Sequence, residues 1–191
     1  RDNNVSCFNS NEEDIEKKMP LIEKNLNKYS STFISKINLK YVVLCENLTV
    51  SQINTAGVPN PKTKTLIIDI KFNEKYFERV LHHEIFHMID ETHKEIFLYK
   101  EWENLNSQEF EYAECSTCSN RLGLSILKED KGFVTEYSMS TPSEDMAEVF
   151  SFLMINKKMI ENRALVDPIL NKKILLIKEN LLKVHENFNF N

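Results

Sequence analysis

Residues 73–90 carry the feature that most constrains the fold of this chain. Apolar side chains recur there at helical spacing, which predicts an amphipathic helix. Three of the chain's five histidines lie in the same segment. His83 and His87 are four residues apart, so they lie on one side of the helix, and Glu84 follows the first of them. The fold must therefore bury one face of this helix and leave the histidines on another.

The spacing of these three residues is that of a zinc site. Two imidazoles one helical turn apart can bind one zinc ion from the same face. The glutamate points beside the metal, where it can accept a proton from an attacking water. We therefore interpret His83 and His87 as ligands of one zinc ion and Glu84 as a general base. The competing interpretation is a solvated helical face, and His82 and His185, which lack this spacing, are expected to be surface or packing residues.

A hydrolytic zinc site needs a third protein ligand, and the sequence offers two candidates. His93 follows His87 by six residues, the spacing of metzincins, and Met139 would then correspond to their Met-turn. Asp90, however, stands where metzincins have a glycine that lets the chain leave the helix, and aspartate tolerates that conformation only moderately. The second candidate is Glu144, on a later predicted helix, which would complete a His-His-Glu site as in gluzincins.

The segment GFVTEYSMSTPSEDMAEVFSFLM, residues 132–154, carries a resemblance to a known group of enzymes. It resembles the active-site helix of the anthrax lethal factor catalytic domain, the Pro-Pro endopeptidases and a wider set of bacterial zinc-binding peptidases. The shared pattern is a tyrosine, six residues, a glutamate, two residues, an alanine and a second glutamate. Here the three functional positions are Tyr137, Glu144 and Glu148. The resemblance covers roughly residues 65–155 and includes an upstream W-x-x-L-N motif.

This resemblance implies a zincin-like metalloendopeptidase of the gluzincin type that cuts protein or peptide substrates. It implies that Glu144 is the third zinc ligand, that Glu84 activates the water and that Tyr137 donates a hydrogen bond to the oxyanion. Glu148 would bond the free nitrogen of a histidine ligand. Substrates of zincins lie along an edge strand, for which residues 55–70 are the candidate. Relatives are often secreted or delivered into host cells, and some are cytoplasmic, so we expect a secreted or host-delivered protein.

The periodicity of the remaining chain predicts an α+β fold with a small N-terminal mixed sheet followed mainly by helices. We expect a single metallopeptidase domain over residues 1–191, with residues 1–12 disordered, a sheet and the histidine helix in 35–90, and a helical part with the third ligand in 132–191. The first predicted element is a helix over 12–28 that is broken or kinked at Pro20. Two strands follow, over 39–45 and 65–70, with a turn-rich segment between them. Two helices are predicted after that, one over 143–157 capped by Ser143 and one from Asp167–Pro168 to the end of the chain.

Charge and composition narrow the possible partners. The net charge of −5 gives no basic footprint for nucleic acid or an anionic membrane. Apolar runs are strand-sized and shorter than a membrane span. We therefore expect no nucleic-acid partner and no membrane span. The resemblance implies a protein or peptide as the substrate, and we expect a monomer.

The four cysteines are too few for a disulfide framework in a domain of this size. The pair Cys115 and Cys118 is expected to lie in a loop without a catalytic role, as a short disulfide, half of a metal site or two thiols. Two other functions stay open at this point. One is a zinc-binding interaction module with little or no peptidase activity, and the other, less favoured, is a redox protein that uses these two cysteines.

Overall fold

The computed structural model describes residues 4–72, 74–129 and 131–190. The chain has an α+β fold with a mixed sheet, as predicted, and it divides into two compact units, Arg1–Thr92 and His93–Asn191. The expectation of one metallopeptidase domain over the whole chain stays a prediction. No helix within the described ranges combines the length and apolar character needed to cross a membrane.

The first unit combines a sheet with three helices. The elements are β1 (Val5–Asn9), α1 (Glu12–Leu26), α2 (Ser31–Lys36), β2 (Tyr41–Val50), β3 (Ile53–Asn54), β4 (Gly57–Asn60), β5 (Thr65–Asp69) and α3 (Phe77–Thr92), the last preceded by a 3₁₀ turn. The strands follow the order β1-β2-β5-β4, with β3 paired to β2, and β2 and β5 are parallel while the other pairs are antiparallel.

Three features of this unit differ from the sequence prediction. Val5–Asn9, predicted to be disordered, form β1 because they pair with β2 along its length. The turn-rich segment before Thr65 contains β3 and β4, and β4 is the last strand at its end of the sheet. Helix α1 continues on both sides of Pro20 without a break, so of the two predicted outcomes the break is wrong and the kink stays a prediction.

Helix α3 is the central helix of the first unit. Between Arg79 and Asp90 every side chain except that of His87 is buried. The apolar residues of α3, such as Leu81, Ile85 and Ile89, are fully buried together with Leu66 and Ile68 of β5. A helix that is buried on nearly all sides can hold polar residues only where the protein provides partners for them. The polar side chains of α3 therefore depend on partners within the protein rather than on contact with solvent.

The second unit is helical with long loops, as predicted for residues 132–191. Its helices are α4 (Tyr99–Glu103), α5 (Pro142–Ala164) and α6 (Pro168–Val184), and 3₁₀ turns cover Ser116–Cys118 and Tyr137–Met139.

The helix starts of this unit confirm one predicted cap and correct another. Asp167 caps α6 by accepting from the Leu170 N–H at 3.0 Å, as expected for an Asp-Pro start. Helix α5 is capped by Thr141 rather than Ser143, because Pro142 needs no hydrogen-bond acceptor and takes the first helical position. Asn156 has a non-helical backbone, so the first regular part of α5 ends close to the predicted boundary.

All four cysteines form disulfides, which the sequence analysis did not foresee for Cys7 and Cys45. These two are 38 residues apart in sequence, and pairing of β1 with β2 brings their Cα atoms to 6.0 Å. Cys115 and Cys118 form the second disulfide within a loop. Of the three alternatives for this pair, the short disulfide is the one observed.

Candidate metal centre

The two histidines of α3 are arranged as a pair of ligands for one ion. The Nε2 atoms of His83 and His87 lie 3.1 Å apart, and the ring planes meet at 76°. Two nitrogens bound to one tetrahedral zinc ion at about 2.05 Å would lie about 3.3 Å apart. The separation thus fits a shared zinc ion within a few tenths of an ångström. His83 is buried and His87 half-buried, which leaves the second ring accessible.

His82 belongs to a different network and is a packing residue, as expected. Its Nδ1 lies 2.5 Å from the Tyr29 hydroxyl, and its Nε2 lies 2.9 Å from Oδ1 of Asn25. The Asn25 amide nitrogen donates to Leu21 O and to Glu78, so Oδ1 is the acceptor and His82 Nε2 carries the proton. Burial lowers the pKa of His82 to about 3, so the ring is neutral. The network ties α3 to α1.

Glu84 is buried in α3 and lies against the edge strand β4. Its side chain passes close to the backbone of Gly57, which has no Cβ. A buried carboxylate beside an edge strand can reach the backbone of an extended peptide paired with that strand. This position is compatible with the predicted role of a general base.

Tyr137 lies in a tightly hydrogen-bonded turn of the second unit. Its N–H donates to Gly123 O at 3.0 Å, and its carbonyl accepts from the Ser140 N–H at 3.0 Å and the Ser140 hydroxyl at 2.7 Å. On the other side, the buried Ser138 hydroxyl donates to Thr135 O at 2.7 Å. These bonds fix the backbone of Tyr137 and leave its side chain half-buried.

The two glutamates of α5 lie one turn apart and differ in their surroundings. Glu144 is half-buried in the first turn, where Thr141 Oγ1 accepts from its N–H at 3.3 Å. Glu148 is 1% exposed, and its Oε2 accepts from the hydroxyl of Thr135 at 2.7 Å. Thr135, which no sequence pattern indicated, connects Glu148 to the turn of Tyr137. The predicted bond from Glu148 to a histidine ligand stays a prediction.

Asp145 is the centre of a buried network that was not predicted from the sequence. Its Oδ2 accepts from Lys173 Nζ at 2.6 Å, Tyr112 OH at 2.6 Å and Trp102 Nε1 at 2.8 Å. Lys173 donates further to Gly132 O at 2.9 Å. Both charged side chains are fully buried. The available signal was that Lys173 interrupts the apolar stripe of α6, a position that requires a buried partner for a charge.

One group of potential metal ligands emerges from the described part of the chain. It consists of His83, His87 and Glu144, with one ligand atom of each within 4.8 Å of the others. Two imidazoles and a carboxylate are the donor set of a hydrolytic zinc site. His93, the alternative third ligand, is outside this group, and its Nδ1 lies 3.6 Å from Glu95. Asp90 remains helical and α3 continues to Thr92, so the early exit that a metzincin site requires does not occur.

Two comparisons with known proteins give matches. Residues 43–185 match a protein-family model described as "Putative zinc-binding metallo-peptidase". The fold is similar to the crystal structure of a "putative zinc-binding metallo-peptidase" from Bacteroides caccae, with a TM-score of 0.59 and 17% identity over 93% of this chain and 73% of that one. No curated protein sequence matches this chain. Because the family match spans most of its length, the chain belongs to this family of zinc-binding metallo-peptidases.

Proposed function

We propose that this protein is a zinc-dependent endopeptidase whose single zinc ion is held by His83, His87 and Glu144. The observation that carries the proposal is the approach of these three ligand groups to within 4.8 Å. The set of two histidines and a glutamate is that of gluzincins, with one position open for a water. When bound there, zinc would polarise a substrate carbonyl and lower the pKa of a water to about 7.

Glu84 and Tyr137 supply the proton transfer and the hydrogen bond that peptide hydrolysis needs. The Glu84 carboxylate takes a proton from the water as its oxygen attacks the peptide carbonyl carbon. It then gives a proton to the nitrogen of the leaving amine as the C–N bond breaks. The Tyr137 hydroxyl donates a hydrogen bond to the oxyanion that develops on the carbonyl oxygen. The bonds around the turn of Tyr137 support this role because they restrict its backbone.

The substrate binds in an extended form along β4. This strand pairs with β5 on one side and is the last in the order of the sheet, so its other edge can pair with a peptide. Because this pairing uses backbone groups, peptides of many different sequences can bind in the same register beside Glu84. Side-chain selectivity then comes from pockets along the strand rather than from the backbone contacts.

Glu148 supports the ligands rather than binding the ion. It is buried one turn after Glu144 and already accepts a hydrogen bond from Thr135. A carboxylate held in this way can accept a second hydrogen bond from the remaining N–H of a histidine ligand and fix its tautomer.

The protein is exported from the cytoplasm in which it is made, as a secreted or host-delivered peptidase. Support comes from the two disulfides, which join all four cysteines. Structural disulfides persist in oxidising compartments and are rare in the cytosol of most organisms.

Digestion of a peptide library by the parent protein and by Glu84→Gln tests the proposal, with zinc per chain measured on both. Glu84→Gln keeps the size of the side chain but cannot accept the proton. We expect equal zinc content, cleavage by the parent and loss of cleavage in the variant. His185→Ala serves as the control histidine variant and should retain both zinc and cleavage.

Two results would contradict the proposal. Equal cleavage by Glu84→Gln and the parent would show that another group is the base. One zinc ion per parent chain without any cleaved sequence would instead favour the zinc-binding interaction module.

A further inference from the structure

Gly57, the first residue of β4, lies in contact with the side chain of Glu84. A Cβ built on Gly57 would lie 2.6 Å from Cγ, 2.8 Å from Cδ and 3.1 Å from Oε2 of Glu84. Cβ atoms essentially never approach other heavy atoms closer than 3.0 Å in proteins. Any residue other than glycine at position 57 would therefore displace either the strand or the glutamate.

The need for glycine here concerns space and not backbone conformation. Of the glycines in the described ranges, Gly132 is the one with positive φ, so the backbone conformation at Gly57 does not by itself require glycine. Glycine within a strand weakens it and often marks a close approach of another group. In this case the approaching group is a carboxylate side chain from α3.

We infer that Gly57 is a positioning residue for the general base, an inference that rests on the proposed function. The strand and α3 both belong to the first unit, and Gly57 pairs with Ile68 of β5, which holds the strand in place. The obstructing atoms lie beyond the Cβ of Glu84, in a side chain that can rotate. A substitution at position 57 therefore moves the carboxylate rather than the sheet.

The expected displacement is large enough to affect catalysis. To restore an ordinary contact of 3.4 Å from 2.6 Å, Cγ of Glu84 must move by about 0.8 Å. A misplacement of about 1 Å in a catalytic group can cost about 100-fold in rate. Gly57 thus leaves free the space that the Glu84 side chain occupies.

The test compares kcat, KM, zinc content and crystal structures of the parent, Gly57→Ala and Gly57→Ser. We expect kcat to fall about 100-fold in Gly57→Ala and further in Gly57→Ser, with KM within about twofold and zinc unchanged. In the crystal structure of Gly57→Ala, the Glu84 carboxylate should be displaced while β4 stays in register with β5. Ile53→Ala, an exposed substitution in β3 of the same sheet, serves as the control with parental kcat.

The outcomes separate this inference from the proposed function. If the parent cleaves and Glu84→Gln does not, but Gly57→Ala cleaves at the parental rate, only the role of Gly57 is overturned. An undisplaced Glu84 in the Gly57→Ala crystal overturns that role as well. If the parent fails to cleave any peptide, the proposed function fails and the catalytic role of Gly57 fails with it, whereas the crystal still reports on the contact itself.

Discussion

Replacing Lys173 by methionine tests the buried network beside the proposed zinc ligand Glu144. Lys173→Met preserves most of the volume but removes the charge that faces Asp145 at 2.6 Å. Burial raises the pKa of the Asp145 carboxyl, and Lys173 opposes that rise. Without Lys173, Asp145 keeps the hydrogen bonds from Trp102 and Tyr112 but has no positive charge nearby in this network. The variant therefore contains a buried carboxylate without its counter-ion.

The expected decrease in the free energy of unfolding follows from the loss of the Lys173 charge. Removing one partner of a fully buried ion pair costs about 3–5 kcal/mol. A domain has a free energy of unfolding of about 5–15 kcal/mol, so the loss is a large part of the total. For a chain of this size, about 1 kcal/mol lowers the Tm by about 2–4 °C, which gives a decrease of about 6–20 °C.

Urea unfolding and calorimetry of the parent, Lys173→Met and the double variant Asp145→Asn/Lys173→Met provide the assay. The double variant removes both charges, and the amide carbonyl introduced at position 145 can still accept from the two aromatic donors. We expect it to recover at least about half of the stability lost in Lys173→Met, because neutral replacements of buried pairs are often tolerated. A loss below about 1 kcal/mol in Lys173→Met, or a double variant no more stable than the single one, would refute the reasoning.

Three further predictions concern other parts of the chain. Tyr29→Phe leaves Nδ1 of His82 without its hydroxyl donor and should lower the free energy of unfolding in urea by about 1–3 kcal/mol, whereas an unchanged midpoint would contradict the network. Tyr137→Phe should lower kcat by about 100- to 1,000-fold with zinc content unchanged, and parental kcat would exclude the hydroxyl as an oxyanion donor. Replacing both Cys7 and Cys45 by serine opens a loop of 38 residues and should lower the free energy of unfolding in urea by about 4 kcal/mol. Alkylation of the unreduced, unfolded parent protein at either cysteine would show that the disulfide is absent.

The parts of the fold that could be predicted from the sequence depend on local periodicity. Helix α3 was recognisable because apolar residues recur along a single segment, and its two histidines needed only their four-residue spacing. The start of α6 at Asp167–Pro168 was also predictable, since a cap and a first-turn proline act within one helical turn. These features need no information about distant residues.

The parts that could not be predicted depend on contacts between residues far apart in sequence. Strand β4 lies within a proline-containing segment whose composition indicates turns, and its pairing with β5 creates the strand. Cys7 and Cys45 meet only because β1 pairs with β2. The closeness of Gly57 to Glu84 likewise depends on the packing of a strand against a helix. Thr135, as the partner of Glu148, carries no sequence signal of its own.

The third zinc ligand could be predicted from the sequence only in part. Spacing alone left His93 and Glu144 as alternatives, and the resemblance to known peptidases favoured the glutamate. The structure adds two physical observations, the continuation of α3 to Thr92 and the group formed by His83, His87 and Glu144.

Anomalous diffraction at the zinc edge, from crystals of the zinc-loaded protein, tests the central claim most directly. We predict one peak at about 2.0–2.2 Å from Nε2 of His83, Nε2 of His87 and a carboxylate oxygen of Glu144, in tetrahedral geometry with one position open to solvent. A peak whose third protein ligand is His93, or the absence of any peak between the two imidazole rings, would contradict the account.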